Sequence, residues 1–213
     1  MERNIKITLE KAKEWYNSNN ESLKDIALQA FSEKELTAFD FTRIRTFEDA
    51  CKALGLDFDN IVDTIANIII FGHSKASAAM FKLNIIRKAI NLGQDLHFAK
   101  DPKNSYIYYP YNQLVTKISP YYNKELNLGK MEIIGKVKSE GKEYFVFGGR
   151  AYIGGYDGLG VFYSDDGVGD ANASIGFLGC ASEKIAQHFG KYFGMIITEA
   201  KYCDMVDFEI INY

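Results

Sequence analysis

The sequence predicts an α+β protein with a helical N-terminal half, and a β-rich, Gly- and Tyr-containing C-terminal half that includes a late amphipathic helix. Three observations predict it. Up to about residue 100, apolar residues recur at helical spacing behind repeated N-cap signals. After Asp101-Pro102 the pattern turns to short aromatic and β-branched runs. Residues 184–201 then return to a helical stripe. On this reading residues 1–100 form a helical region. Residues 101–213 form a β-rich region that displays a Gly/Tyr-rich stretch, 151–178, and carries a packing helix, 184–201.

The elements follow in chain order. Ile7, Leu9, Ala12, Trp15 and Tyr16 open the first helix, and Asn20 or Ser22 caps a second with Leu23, Ile26, Ala27 and Ala30 on one face. Ser32 and Glu35 have the spacing of a capping box, in which side chain and backbone satisfy each other reciprocally; Thr46 and Asp49 resemble the same device. The helix begun at Thr46 ends at Gly55. Ser74 or Ser77 starts a long helix through Leu83, Ile86 and Ile90 to Gly93, dense enough in apolar residues for a core helix. Tyr106 to Tyr109 reads as a strand with Pro110 near its end. Met131 to Lys138 and Glu143 to Phe147 read as a hairpin around Glu140-Gly141. Short strands are expected at Leu159 to Tyr163 and Ser174 to Leu178. Ser182 caps the last helix, where Ile185, Phe189, Tyr192, Phe193, Ile196, Ile197 and Ala200 make the packing stripe. Met205 to Ile211 closes the chain as a strand.

Composition bounds the function. At 213 residues with 47% hydrophobic content, the chain is long enough for one large domain or two small ones and is not disordered. A net charge of −3 argues against nucleic acid, which needs clustered cations. Cys51, Cys180 and Cys203 are scattered and odd in number, with no CxxC, which fits thiols in a reducing compartment rather than structural zinc. The start, MERNIKITLEKAKEWY, lacks the apolar core of a signal peptide, so synthesis is expected in a cytoplasm. The most apolar run, near Ile61 to Phe71, is too short to span a membrane. No cofactor motif and no metal-ligand set stands out.

One segment departs from the rest. Residues 151–183 hold no Lys or Arg, although the chain has 25, and they carry Asp157, Asp165, Asp166, Asp170 and Glu183. Residues 148–179 gather ten of the 18 glycines. Tyr, Ser, Gly, Asn and Asp together suit an adaptable contact surface, since Tyr offers a large amphipathic face at low entropy cost. Tyr152, Tyr156, Asp157, Tyr163, Asp165, Asp166, Asp170 and Asn172 are therefore the candidate ligand-contacting residues. Against this stands a plain packing or subunit-interface reading of Gly-rich β structure.

Other candidates favour structure over chemistry. Asp165 to Asp170 could hold a calcium ion, but Asp and Gly are also the ordinary turn residues. Asp57, Asp59 and Asp63 read as the acidic first turn of a helix. Cys180 lies before a helix N-terminus, yet His188 is about 12 Å further along that helix, so a nucleophile pair is not expected; Cys180 reads as a buried packing residue. His73 and His97 stand alone. The tyrosines between Tyr106 and Tyr122 could form a sugar platform or simple cross-strand pairs, and the pairs are the commoner use. No residue is singled out as catalytic.

Three segments resemble a family of uncharacterised proteins found in phages and mobile elements of gut bacteria: TFEDACKALGL at Thr46 to Leu56, KLNIIRKAINLGQDL with YIYYPYN between Lys82 and Asn112, and IGFLGCASEKIAQHFGKYFGMIITEAKY near the C-terminus. The resemblance implies such an origin, and a place in the virion or inside the host. The stretch 151–178 is itself similar to the variable region of retroelement-diversified proteins, which implies a C-type-lectin-like scaffold; here a long helix and a strand follow it. The expectation is a recognition module displaying a variable Tyr/Asp/Asn/Ser/Gly surface to a protein or glycan, with homo-oligomers allowed. The alternatives are an assembly protein using the stretch as a subunit interface, and an intracellular small-molecule-binding protein or enzyme.

Overall fold

The computed structural model describes residues 7–71, 73–94, 106–119, 122, 132–155 and 178–211. Helices dominate before residue 95, a four-stranded antiparallel sheet follows, and a long helix comes late, so the chain is α+β. The chain divides into two compact units, Met1–Asp40 and Phe41–Tyr213. The change from helices to strands is internal to the second.

In the first unit, α1 (Leu9–Tyr16), α2 (Glu21–Ala30) and α3 (Glu33–Thr37) gather around Ala12, Ala27 and Leu36. Each starts on a side-chain cap: Thr8, Asn20 and Ser32 accept from the backbone N–H groups of Lys11, Leu23 and Glu35. The Ser32–Glu35 capping box is complete, with the Ser32 N–H donating to the Glu35 carboxylate at 2.9 Å.

The second unit opens with a short 3-10 turn at Phe41–Arg43 and α4 (Phe47–Ala53), begun by the complete Thr46–Asp49 box. Asp57 caps α5 (Phe58–Ile70) and Ser74 caps α6 (Lys75–Ile90). Gly55 and Gly93 follow α4 and α6 at positive φ, as helix ends favour. The sheet comprises β1 (Tyr106–Val115), β2 (Glu132–Ser139), β3 (Lys142–Gly155) and β4 (Glu209–Ile211) in the order β1-β3-β2-β4. Glu140 and Gly141, both at positive φ, make the two-residue hairpin turn whose twist matches the strands.

Helix α7 (Glu183–Tyr202) packs on β1 and β3 with one side and on α6 with another. Its Phe189, Phe193 and Ile197 are fully buried, as their stripe requires. The sheet's other face buries Val115, Phe145 and Phe147 beneath Tyr111, Ile133 and Tyr122, whose ring meets Phe145 edge-on at 4.9 Å.

Four expectations change. β3 runs past Phe147 to Gly155. β1 does not stop at Pro110 but continues to Val115; it is an edge of the sheet, where a residue without an N–H can be accommodated. The final strand is three residues rather than seven. A turn occupies the preceding residues, and its Val206 carbonyl accepts from Ser139 Oγ at 2.8 Å and from the Glu140 N–H at 3.2 Å. Tyr192 remains 39% exposed beside the buried stripe, since it lies at the rim of the contact arc. The strands expected at Leu159 to Tyr163 and Ser174 to Leu178 lie outside the described residues, except for Leu178, which is buried and not in a strand.

Candidate functional site

The described chain leaves the sheet at Gly155 and resumes at Leu178. Of the eight candidate contact residues, Tyr152 lies in β3 with its backbone opposite Tyr109 of β1. Tyr156, Asp157, Tyr163, Asp165, Asp166, Asp170 and Asn172 lie outside the described residues, as does the turn Asp165 to Asp170.

Both edges of this stretch are fastened to the start of β1. Gly155 pairs with Tyr106 on the β3 side. On the opposite side Cys180 pairs with Tyr108: the Cys180 N–H donates to Tyr108 O at 2.8 Å, and the Tyr108 N–H donates to Cys180 O at 3.2 Å. The N–H and C=O of one strand residue point the same way, so Tyr108 spends both on Cys180 and meets β3 only in a non-hydrogen-bonded register. Pro110, two residues on, has no N–H for that outer side, so it cannot extend the bridge by donation. With strands about 4.8 Å apart, the two fastened ends lie roughly 10–12 Å from one another.

The returning end is clasped by α6. Asn91, the buried C-cap residue of α6, accepts the Ala181 N–H on Oδ1 at 2.9 Å, and its Nδ2 donates to Arg87 O at 2.9 Å. The Arg87 Nε donates to Gly179 O at 3.2 Å. Cys180 is buried between, its thiol donating to Leu178 O at 3.4 Å. Burial pushes that thiol up to about 12, outweighing the Asn91 hydrogen bond and the Arg87 charge that act the other way. Cys180 is thus a buried, protonated packing residue, not a nucleophile at neutral pH. Ser182, directly after the clasp, caps α7 by accepting the Ile185 N–H at 3.3 Å.

A glycine-lined contact holds α7 close to the sheet. A Cβ on Gly148 of β3 would lie 2.7 Å from Gly190 O of α7 and 2.7 Å from Ile134 Cδ1. One on Gly194 would collide with Asn112 and Ile134. Two bulges turn those side chains inward: Gly148 and Gly149 together face Asn112 of β1, and Ile134 is the extra residue of β2. Gly149 takes a positive φ of 85° at the bulge. Asn112 is buried, and its Nδ2 donates to Gly190 O at 3.3 Å, while Oδ1 has no partner among the described residues. Gly190, Gly194 and Asn112 are not among the residues the sequence marks as candidates. Two glycines four apart on the apolar side of a predicted helix were the available signal.

Elsewhere the titratable groups serve packing. His188 places a ring nitrogen 2.7 Å from Ile44 O and stacks near Tyr192, far from any role beside Cys180. Burial pushes Lys201, in the last turn of α7, down to about 8. Asp57 caps α5 by accepting the Asn60 N–H at 3.0 Å, and Asp59 follows in the first turn. Tyr111 and Tyr122 belong to the aromatic cluster on the sheet. Among the described residues no three His, Cys, Asp or Glu side chains gather as a metal site, and no helix is long and apolar enough to cross a membrane. No protein family, curated protein or solved structure matches this chain.

Proposed function

We propose that this chain is a recognition protein of phage or mobile-element origin, whose folded frame presents residues 151–178 to a protein or glycan ligand. The observation that carries the reading is the double fastening of the stretch to β1, at Tyr106 and Tyr108, with a buried clasp from α6 at its returning end. A frame of that kind tolerates change between its fixed ends, because the fastening uses backbone groups and residues outside the stretch's polar positions. The composition supplies the other half: Tyr anchors, short polar partners, glycines, and no long cation whose ordering would oppose binding.

The test replaces Tyr156, Asp157, Tyr163 and Asp165 together by Ser. Exposed substitutions change stability by less than about 0.5 kcal/mol each, so a near-unchanged thermal melt is expected. Binding on a glycan array or to host-cell surfaces should be lost. Unfolding of the variant would show these side chains to be core, and undiminished binding to an identified partner would place the contact elsewhere; either result removes the reading.

A further inference from the structure

Helix α5 carries two apolar stripes but buries only one. Ile61, Ile65 and Ile68 recur at i, i+4 and i+7, and Ile65 is buried on the side that packs against α6. Val62, Ala66, Ile69 and Ile70 repeat the pattern roughly 100° further round the helix. This second stripe is open: Val62 is 41% exposed, Ile69 45% and Ile70 74%. At roughly 150–250 Å² for a large bare side chain, Val62, Ile69 and Ile70 leave about 300 Å² of mostly apolar surface uncovered. A patch of that size is within the usual largest patch of a monomer, and two such faces together give about 600 Å², the scale of a weak, concentration-dependent contact rather than of a permanent interface.

The charge around the stripe selects the occupant. No Lys or Arg occurs from residue 53 to 74. Asp59 and Asp63 lie toward the N-terminal end of α5. The exposed His73 and Lys75 lie past its C-terminal end, where the His73 N–H donates to Ile68 O at 3.1 Å and so stays against the last turn. An anionic membrane surface is a poor match, because an interfacial helix needs cations beside its apolar face. A second copy in the parallel sense would set carboxylates against their own copies. A second copy in the antiparallel sense sets the acidic end against the basic end.

We propose that α5 is a self-association surface, through which two copies of this chain pair antiparallel about a two-fold axis at Ala66. In that register Val62 lies against the partner's Ile70, and Asp59 against the partner's His73. The small Ala66 on the axis lets the helices approach to the short end of the usual 8–10 Å separation. The interface is isologous, as closed dimers require.

Sedimentation velocity on the full chain, over a range reaching hundreds of micromolar, should show a concentration-dependent dimer. Val62→Glu with Ile70→Glu should abolish it with no loss of the melting transition, since both side chains are exposed. In a Cys203→Ser background, Ala66→Cys should form a disulfide-linked dimer under mild oxidation, and Val62→Cys alone should do so far more slowly. A chain monomeric throughout the range overturns the proposal, including one in which the amides of residues 62–71 are protected from exchange by other parts of the same chain. So does a dimer that survives the double Glu substitution, or one that Ala66→Cys fails to trap.

Discussion

Asn91 joins parts of the chain that lie 90 positions apart, and it does so with a single short side chain. As the C-cap of α6 it binds the Arg87 carbonyl, and its own buried Oδ1 accepts the half-buried Ala181 N–H. Truncation to Ala leaves that N–H without an acceptor. A buried donor left unpaired costs about 1–3 kcal/mol, more than the roughly 1 kcal/mol a satisfied hydrogen bond contributes net. Urea unfolding of Asn91→Ala should therefore show a loss of about 1–3 kcal/mol. A loss under about 0.5 kcal/mol would mean that the Asn91 contacts with Arg87 and Ala181 are not what holds this end of the stretch. Cys180 makes the complementary point. Proximity to a helix N-terminus and to Arg87 favours a thiolate, but desolvation is the larger effect and keeps the proton on.

At the scale of elements, α7 is where local pattern and tertiary packing meet. Phe189 and Phe193 touch edge-on at 5.9 Å and are buried between the sheet and α6. Phe193→Ala should cost roughly 3–5 kcal/mol, because the glycines at 190 and 194 already hold the helix against the sheet and leave little room for collapse into the cavity. A shift below about 1 kcal/mol in a urea melt would mean the face is not core. This stripe was legible in the sequence, as were the caps at Ser32, Thr46 and Ser182, with Ser74 one of two candidates, because each depends on residues within one or two turns. The extent of β1 was not: whether a strand survives Pro110 depends on which side of it has a neighbour. Nor was the shortening of β4, which follows from Val206 docking on the hairpin turn. The stretch itself stood out by composition, but its fastening did not. The contacts of Asn91, Arg87 and Tyr108 with residues 179–181 cross long sequence separations that no periodicity encodes, and of the eight candidate residues only Tyr152 lies within the described chain.

For the whole molecule, the two compact units differ in what they bury. The unit of residues 41–213 owns Phe147, Phe189, Phe193, Leu83, Ile86 and Ile90, all fully buried in large, long-range contacts. The unit of residues 1–40 centres on Ala12, Ala27 and Leu36, two of which bring only a methyl group. Burial near 25 cal/mol per Å² must offset about 1–2 kcal/mol of backbone entropy per ordered residue, and chains near 40 residues seldom achieve this without a disulfide, a metal or a partner. The three short helices also rely on caps, each worth about 1 kcal/mol, and helices this short are marginal in water. The expected outcome is asymmetric. A fragment spanning residues 41–213 should melt cooperatively, within a few degrees of the full chain, while a peptide of residues 1–40 should show partial helix by circular dichroism and no cooperative transition. Failure of the 41–213 fragment to fold would mean that its core is incomplete without the first forty residues, and that the chain is thermodynamically one domain.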